Sequence, residues 1–208
     1  MILGIDHIAI NTSDIENFGS NLLEKNYNCS FSQTIPNSIY KKPLLKTYSK
    51  LHKIAYFESL EKRFPIELTE HGNDLPFEKT PISFNKNQIT IKVSDIDREI
   101  FFWANLLKVN VKQSNNIVFK SIMSNRSFDL NFEPIKKNIP YTLDTDGCTC
   151  IALITNNIEK NIDSINQTKL CSVVGPWKSE VNSKKLLIAM FKTKNGIIGE
   201  LIQMERIS

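Results

Sequence analysis

Few side chains in this sequence are of the types that hold an ion or move a proton. There are three histidines and four cysteines, and the carboxylates are scattered. His7 lies in a stretch whose side chains alternate as a strand requires: Ile8 and Ile10 on one face, His7, Ala9 and Asn11 on the other. In Pro65-Ile66-Glu67-Leu68-Thr69, the apolar Ile66 and Leu68 oppose Glu67 and Thr69. An imidazole and a carboxylate thus share the more polar face of one structural unit. A similar arrangement lies downstream. Gln88 heads an alternating strand, and Phe128, Leu130 and Phe132 oppose Asp129, Asn131 and Glu133. The remaining groups carry less. His71, beside Glu70 at a strand end, is expected in solvent, and His52 has no partner by pattern. Cys29, Cys148, Cys150 and Cys171 lack the spacing of a zinc site or a disulfide framework and are expected to be reduced. Lys41, Lys42, Lys46 and Lys50 read as a soluble loop, or as a lid that attracts a phosphate or carboxylate.

The elements that hold these residues form a repeat. The strand of His7 runs into Ser13-Asp14-Ile15-Glu16, a capping box that opens a helix with Ile15, Phe18, Leu22 and Leu23 at helical spacing. Gln88-Ile89-Thr90-Ile91-Lys92-Val93-Ser94-Asp95-Ile96 repeats the phrase with Gln88 in place of His7. Cys150-Ile151-Ala152-Leu153-Ile154-Thr155-Asn156-Asn157-Ile158 repeats it more loosely. The chain therefore divides into unit one (1–72), a linker (73–86), unit two (87–133), a second linker (134–147) and unit three (148–208). Each unit reads strand–helix–strand–strand–strand, with two short strands near 109–112 and 117–122 in unit two. The fold class is α+β. A unit of this kind covers one sheet face with its own helix and leaves the other open, so units must pair.

Composition narrows the function. The 208 residues are 41% hydrophobic and 23% charged, as in ordinary globular proteins, and carry a formal charge of +4. The basic residues form no stripe, so nucleic acid is not expected as a partner. No apolar run nears the ~20 residues of a membrane span, and no signal segment opens the chain, so the cytoplasm is the expected location.

Asp6-His7-Ile8-Ala9-Ile10 before a capped helix, with a closing strand Glu200-Leu201-Ile202-Gln203, resembles the vicinal oxygen chelate superfamily, which includes glyoxalase I and methylmalonyl-CoA epimerase. The resemblance implies three βαβββ modules in an open curved mixed sheet. It also implies one divalent metal ion (Zn, Ni, Co, Mn or Fe) held by residues from the first and fourth strands of two paired units. His7, Glu67 and Gln88 match those places, and Asp129 occupies the fourth but is one methylene shorter than the usual Glu; Cys150 and Glu200 are the counterparts in unit three, where Cys150 departs further from the usual His, Gln or Glu. The polar face of unit two (Gln88, Thr90, Lys92, Asp129, Asn131, Glu133) favours pairing units one and two around the metal. Glu200 is then an alternative ligand or base. The apolar face of unit three (Ala152, Ile154, Ile198, Ile202) would be covered by a second copy in a homodimer. The resemblance further implies proton transfer next to a carbonyl, as in an isomerase, epimerase or lyase, and the net positive charge with Lys41, Lys42, Lys46 and Lys50 points to a small anionic substrate. Glu67 or Glu133 would move the proton, and Asn11, Lys92 and Asn131 would touch substrate. The alternative is a metal-free protein that sequesters a small molecule.

Overall fold

The computed structural model describes residues 1–71, 80–111 and 115–205. Unit one forms β1 (Ile2–Asn11), α1 (Ile15–Glu24), β2 (Tyr27–Pro36), a 3-10 turn (Ile39–Leu44), β3 (Leu51–Ser59) and β4 (Ile66–Glu70). The middle of the chain forms β5 (Ile82–Phe84), β6 (Gln88–Val93), α2 (Ile96–Leu107), β7 (Asn116–Lys120) and β8 (Ser127–Pro134). Unit three forms β9 (Gly147–Thr155), α3 (Ile158–Thr168), β10 (Cys171–Val181), β11 (Lys184–Thr193) and β12 (Ile198–Met204). β5 lies within the stretch read as a linker. The strand expected near 109–112 is not formed at residues 109–111, and Lys112 lies outside the described residues.

The repeated phrase acts alike at each helix start. Asp14, Asp95 and Asn157 each accept a hydrogen bond from the backbone N–H three residues on, capping α1, α2 and α3. The cap of α1 is thus Asp14, one residue later than the Ser13 of the expected capping box. Gly19, poor inside a helix, is needed there: a Cβ would sit 2.9 Å from the Phe57 ring.

The expected pairing of units is corrected. β1 joins β9 antiparallel, giving one eight-stranded sheet in the order β10-β11-β12-β9-β1-β4-β3-β2, while β5-β6-β8-β7 form a separate sheet. Units one and three make the curved sheet; unit two does not take part. The reason lies in the strand faces. From Cys148 to Thr155, β9 is buried at every position, so both of its faces need protein cover. In β6 and β8 one face is buried and the other is half-buried or exposed, which an edge layer tolerates in water. Ala152, Ile154, Ile198 and Ile202 are buried within this single chain, which removes the reason for a second copy to cover them.

Unit two docks through its helix. Trp103 and Phe102 of α2 pack on Phe191 of β11, and ring centroids lie 5.3–5.9 Å apart. Within that contact Glu99 is buried, and its carboxylate accepts bonds from Trp103 Nε1 (2.9 Å), Thr193 Oγ1 (3.0 Å) and Asn195 Nδ2 (2.9 Å). Burial pushes the Glu99 carboxyl up, against the pull of these donors.

Candidate active site

The concave face of the eight-stranded sheet gathers its polar groups at the seam between β1 and β9. The ladder slips by one residue between Ile5 and His7, a β-bulge at Asp6. Asp6 and His7, which simple alternation would place on opposite faces, therefore both line the concave chamber. Glu67 stands beside Ala9 through the parallel β1–β4 pairing, and Glu200 beside Ala152 through β9–β12. Gly199, next to Glu200, brings β12 close to β11, since a Cβ there would overlap the Phe191 ring.

These registers bring three groups together. His7 Nε2 lies 3.7 Å from Glu67 Oε1 and 3.8 Å from Glu200 Oε2, and Nδ1 lies 2.9 Å from Asp6 Oδ2. His7 is only 3% exposed, and its Nε2 is buried with no hydrogen-bond partner. The Asp6 carboxylate accepts a hydrogen bond from Nδ1, which aims Nε2 toward the two glutamates. Carboxylate–histidine pairs do this behind metal ions. Donors around an ion held at ~2.0–2.2 Å are spaced about 3.0–3.6 Å apart, so these three stand slightly wide of ligation. In agreement, among the described residues no three His, Cys, Asp or Glu side chains already form a metal cage. The residues nevertheless fit a divalent cation, because the orphaned imidazole nitrogen faces two carboxylates.

Charge is concentrated here. Burial works against an imidazolium at His7, but the charge of Glu67, the hydrogen bond and charge of Asp6, and the charge of Glu200 outweigh it, raising its pKa to about 9. Burial raises Glu200 to about 7, against the charges of Lys41 and His7. Tyr56 closes one side: its ring meets His7 edge-on at 5.7 Å and its hydroxyl donates to the Asp6 carbonyl at 3.3 Å. Burial and the neighbouring Asp6 and Glu67 push that phenol well above its ordinary range.

Two chambers meet at Glu67 and Glu200. The larger, about 310 Å³, is walled by Phe31, Tyr56, Met123, Ile154, Ile202 and Met204, with Lys184 on its lining. The smaller, about 30 Å³, is bounded by Ser38, Lys41, His52 and Trp177. Of the four loop lysines, Lys41 lines the smaller of these two chambers; Lys42, Lys46 and Lys50 are exposed and line neither.

The other expected site residues lie elsewhere. Gln88 pairs with Asp129, Thr90 with Asn131 and Lys92 with Glu133, all on the separate four-stranded sheet. Lys92 Nζ is 3.8 Å from Glu133 Oε2 in a half-exposed ion pair. Gln88 and Asp129 do not join His7 and Glu67; Glu200 does. Asn11 is buried in a structural network, accepting from His71 Nδ1 (2.9 Å) and from Thr69 Oγ1 (3.4 Å). His71, expected in solvent, is buried and stacked on His52 at 5.1 Å. Burial, with the Lys41 charge, lowers His71 to about 4 and His52 to about 2. Asp6 and Tyr56 join the site without being expected there from the sequence, whereas Lys41 belongs to the loop read as a possible lid. Asp6 carries a signal in its adjacency to His7, but the bulge that brings it to the same face has none.

No family model matches the sequence, and no curated protein does. Solved structures do. Methylmalonyl-CoA epimerase from Mycobacterium tuberculosis superposes over 99% of this chain and 91% of its own, with a TM-score of 0.51 and 9% identity. The chain shares the fold of this epimerase. A glyoxalase I variant from Zea mays matches over 97% of this chain and 70% of its own (TM-score 0.43, 15% identity). The epimerase likeness, at 9% identity, speaks for architecture alone. Among the described residues, no helix is long and apolar enough to cross a membrane.

Proposed function

We propose that this chain is a divalent-metal-dependent enzyme that moves a proton next to the carbonyl of a small substrate, as an isomerase, epimerase or lyase does. The observation that carries the reading is the buried, unpartnered His7 Nε2 facing Glu67 and Glu200. His7, Glu67 and Glu200 would hold the ion. When bound, it would supply Lewis-acid polarisation of a carbonyl oxygen. Asp6, bonded to Nδ1, would leave Nε2 of His7 as the nitrogen that binds the ion. Glu67 borders both chambers and is less buried than Glu200, with 18% against 9% of its side chain exposed, so it is the carboxylate placed to take and return a substrate proton. Phe31, Tyr56 and Ile202 exclude water around the apolar part of the substrate, while Lys41 and Lys184 supply positive charge for an anionic group. Glu133, on the other sheet, has no part in this chemistry.

A second reading has its own support. His7 as an imidazolium already satisfies Asp6, Glu67 and Glu200 electrostatically, which suits a metal-free protein that sequesters a ligand in the larger chamber. Incubating metal-loaded protein with 2-oxo acids and acyl thioesters in deuterated water separates the two. Exchange of the α-proton, followed by NMR and lost in Glu67→Gln and on metal removal, is expected of the enzyme. Tight binding without exchange would favour sequestration.

A further inference from the structure

Unit two supplies none of the groups around His7, yet one of its turns reaches the larger chamber. Residues 121–126 join β7 to β8, and this turn is tied to the first strand of the chain. The Leu3 carbonyl accepts from Ile122 N (2.8 Å) and from Ser121 Oγ (3.3 Å), and Ser121 Oγ in turn accepts from Ser124 N (3.3 Å). Ser121 is buried, and the approach is close: a Cβ at Gly4 would lie 2.5 Å from its Oγ. Gly4 is what lets the turn sit down on β1. The outcome is Met123, 61% exposed and on the lining of the chamber.

Met123 stands at the end of an apolar track that starts at the carboxylates. Along β12, Glu200, Ile202 and Met204 follow at every second residue and line the same chamber. At a strand rise of ~3.3 Å per residue, Met204 lies roughly 13 Å from Glu200. Ile154 stands beside Ile202, and Leu186 beside Met204, so the track is walled from both neighbouring strands. The polar lining residues further out keep to other elements: Ser30 and Glu58 on β2 and β3, Asn182 and Lys184 at the β10–β11 turn. Past the track lies an open groove of about 620 Å³, and Met123, Ile154 and Met204 line both spaces. Two thioethers thus frame the passage between them. Such unbranched, polarisable side chains adapt to apolar groups of varied shape.

We propose that Met123 is a specificity-determining residue, and that the substrate is an anion with an unbranched apolar chain that passes Ile154 and Ile202 and leaves between Met123 and Met204. The inference rests on the metal-dependent reading above for where the carbonyl end sits. It gives unit two a part in the site. Units one and three hold the reacting end, and unit two meets the tail. Beyond Met123 the chain enters the open groove, where each added methylene stays partly in water and contributes less.

The test is calorimetric titration of the metal-loaded full chain with straight-chain 2-oxo acids from 2-oxobutanoate to 2-oxododecanoate. Affinity is expected to rise about two- to fourfold per methylene until the chain reaches Met123, and then to level off. Met123→Ala should weaken the long members at least fivefold, and Met123→Trp, which fills the passage, at least tenfold. Both should leave 2-oxobutanoate unchanged, which also shows that the variants are folded. An affinity that ignores chain length, a loss shared equally by short and long members, a series unmoved by both variants, or no binding at all would overturn the assignment. The same mixtures in deuterated water separate it from the enzyme reading. Binding that climbs with chain length without exchange next to the carbonyl would count against the enzyme alone, and exchange indifferent to chain length and to Met123 would count against this assignment alone.

Discussion

Unit two and unit three begin with nearly the same phrase yet do opposite things. Gln88–Val93 opens a sheet with one face buried and the other meeting water. Gly147–Thr155 opens a strand buried on both faces and pairs with β1 to build the chamber. Polarity of a strand face suggests a binding wall, but polar side chains are also what a sheet needs where nothing covers it. The apolar face of unit three was the more informative one. It had to be covered, and β1 is what covers its strand edge, carrying His7 to Glu200.

The comparison predicts unequal costs. In the seam, Ile151→Ala removes a fully buried side chain from β9 and is expected to cost about 3–4 kcal/mol. Thr90→Ala, on the open face of unit two, should stay within about 0.5 kcal/mol. Denaturant melts of both variants check this, and equal losses would break the contrast.

The contact between the two regions gives the next largest effect. Glu99→Ala leaves Trp103 Nε1, Thr193 Oγ1 and Asn195 Nδ2 without their acceptor, for a loss of about 3 kcal/mol. Glu99→Gln keeps an acceptor oxygen and should lose less than half of that. The raised Glu99 pKa fixes a sign as well. The folded state holds this proton longer than the unfolded state, so the wild type should lose stability relative to Glu99→Gln as pH rises from about 4.5.

The histidines sharpen the picture further. In metal-free protein the His7 pKa is raised to about 9, so its stabilising charge is fully present below about 6.5 and lost as pH rises toward 9. His71 is lowered to about 4, so it costs nothing above about 6.5 and destabilises as pH falls through 6.5 toward 4. The stability difference between wild type and His7→Gln should therefore shrink on the alkaline side. That between wild type and His71→Gln should change only on the acid side. A smaller and local loss is expected at α1: Asp14→Ala removes its cap and should cost about 1 kcal/mol, read as a lower Tm.

Much of this architecture is legible in the residues. The strand–helix phrase marks all three helix starts, and the alternation of 66–69 and 128–133 places side chains on the faces they occupy. His7 and Glu67 share a face because β4, and β1 beyond its bulge at Asp6, keep their period. The site was only half legible, for three physical reasons. The choice of partner unit depends on burying both faces of β9, a tertiary demand that no local pattern states. Asp6 reaches the chamber through a one-residue slip that has no sequence mark. His71 is buried with its ring stacked on His52 and bonded to Asn11, both distant along the chain.

The central claim is that units one and three, and not unit two, hold a divalent ion. Metal content per chain, measured after loading with zinc and exhaustive desalting, tests it on three proteins. Wild type and Asp129→Asn are expected to keep about one equivalent, and Glu200→Gln to lose most of it. Retention by Glu200→Gln together with loss by Asp129→Asn would move the site to unit two, and a wild type that keeps no zinc would contradict a metal site altogether.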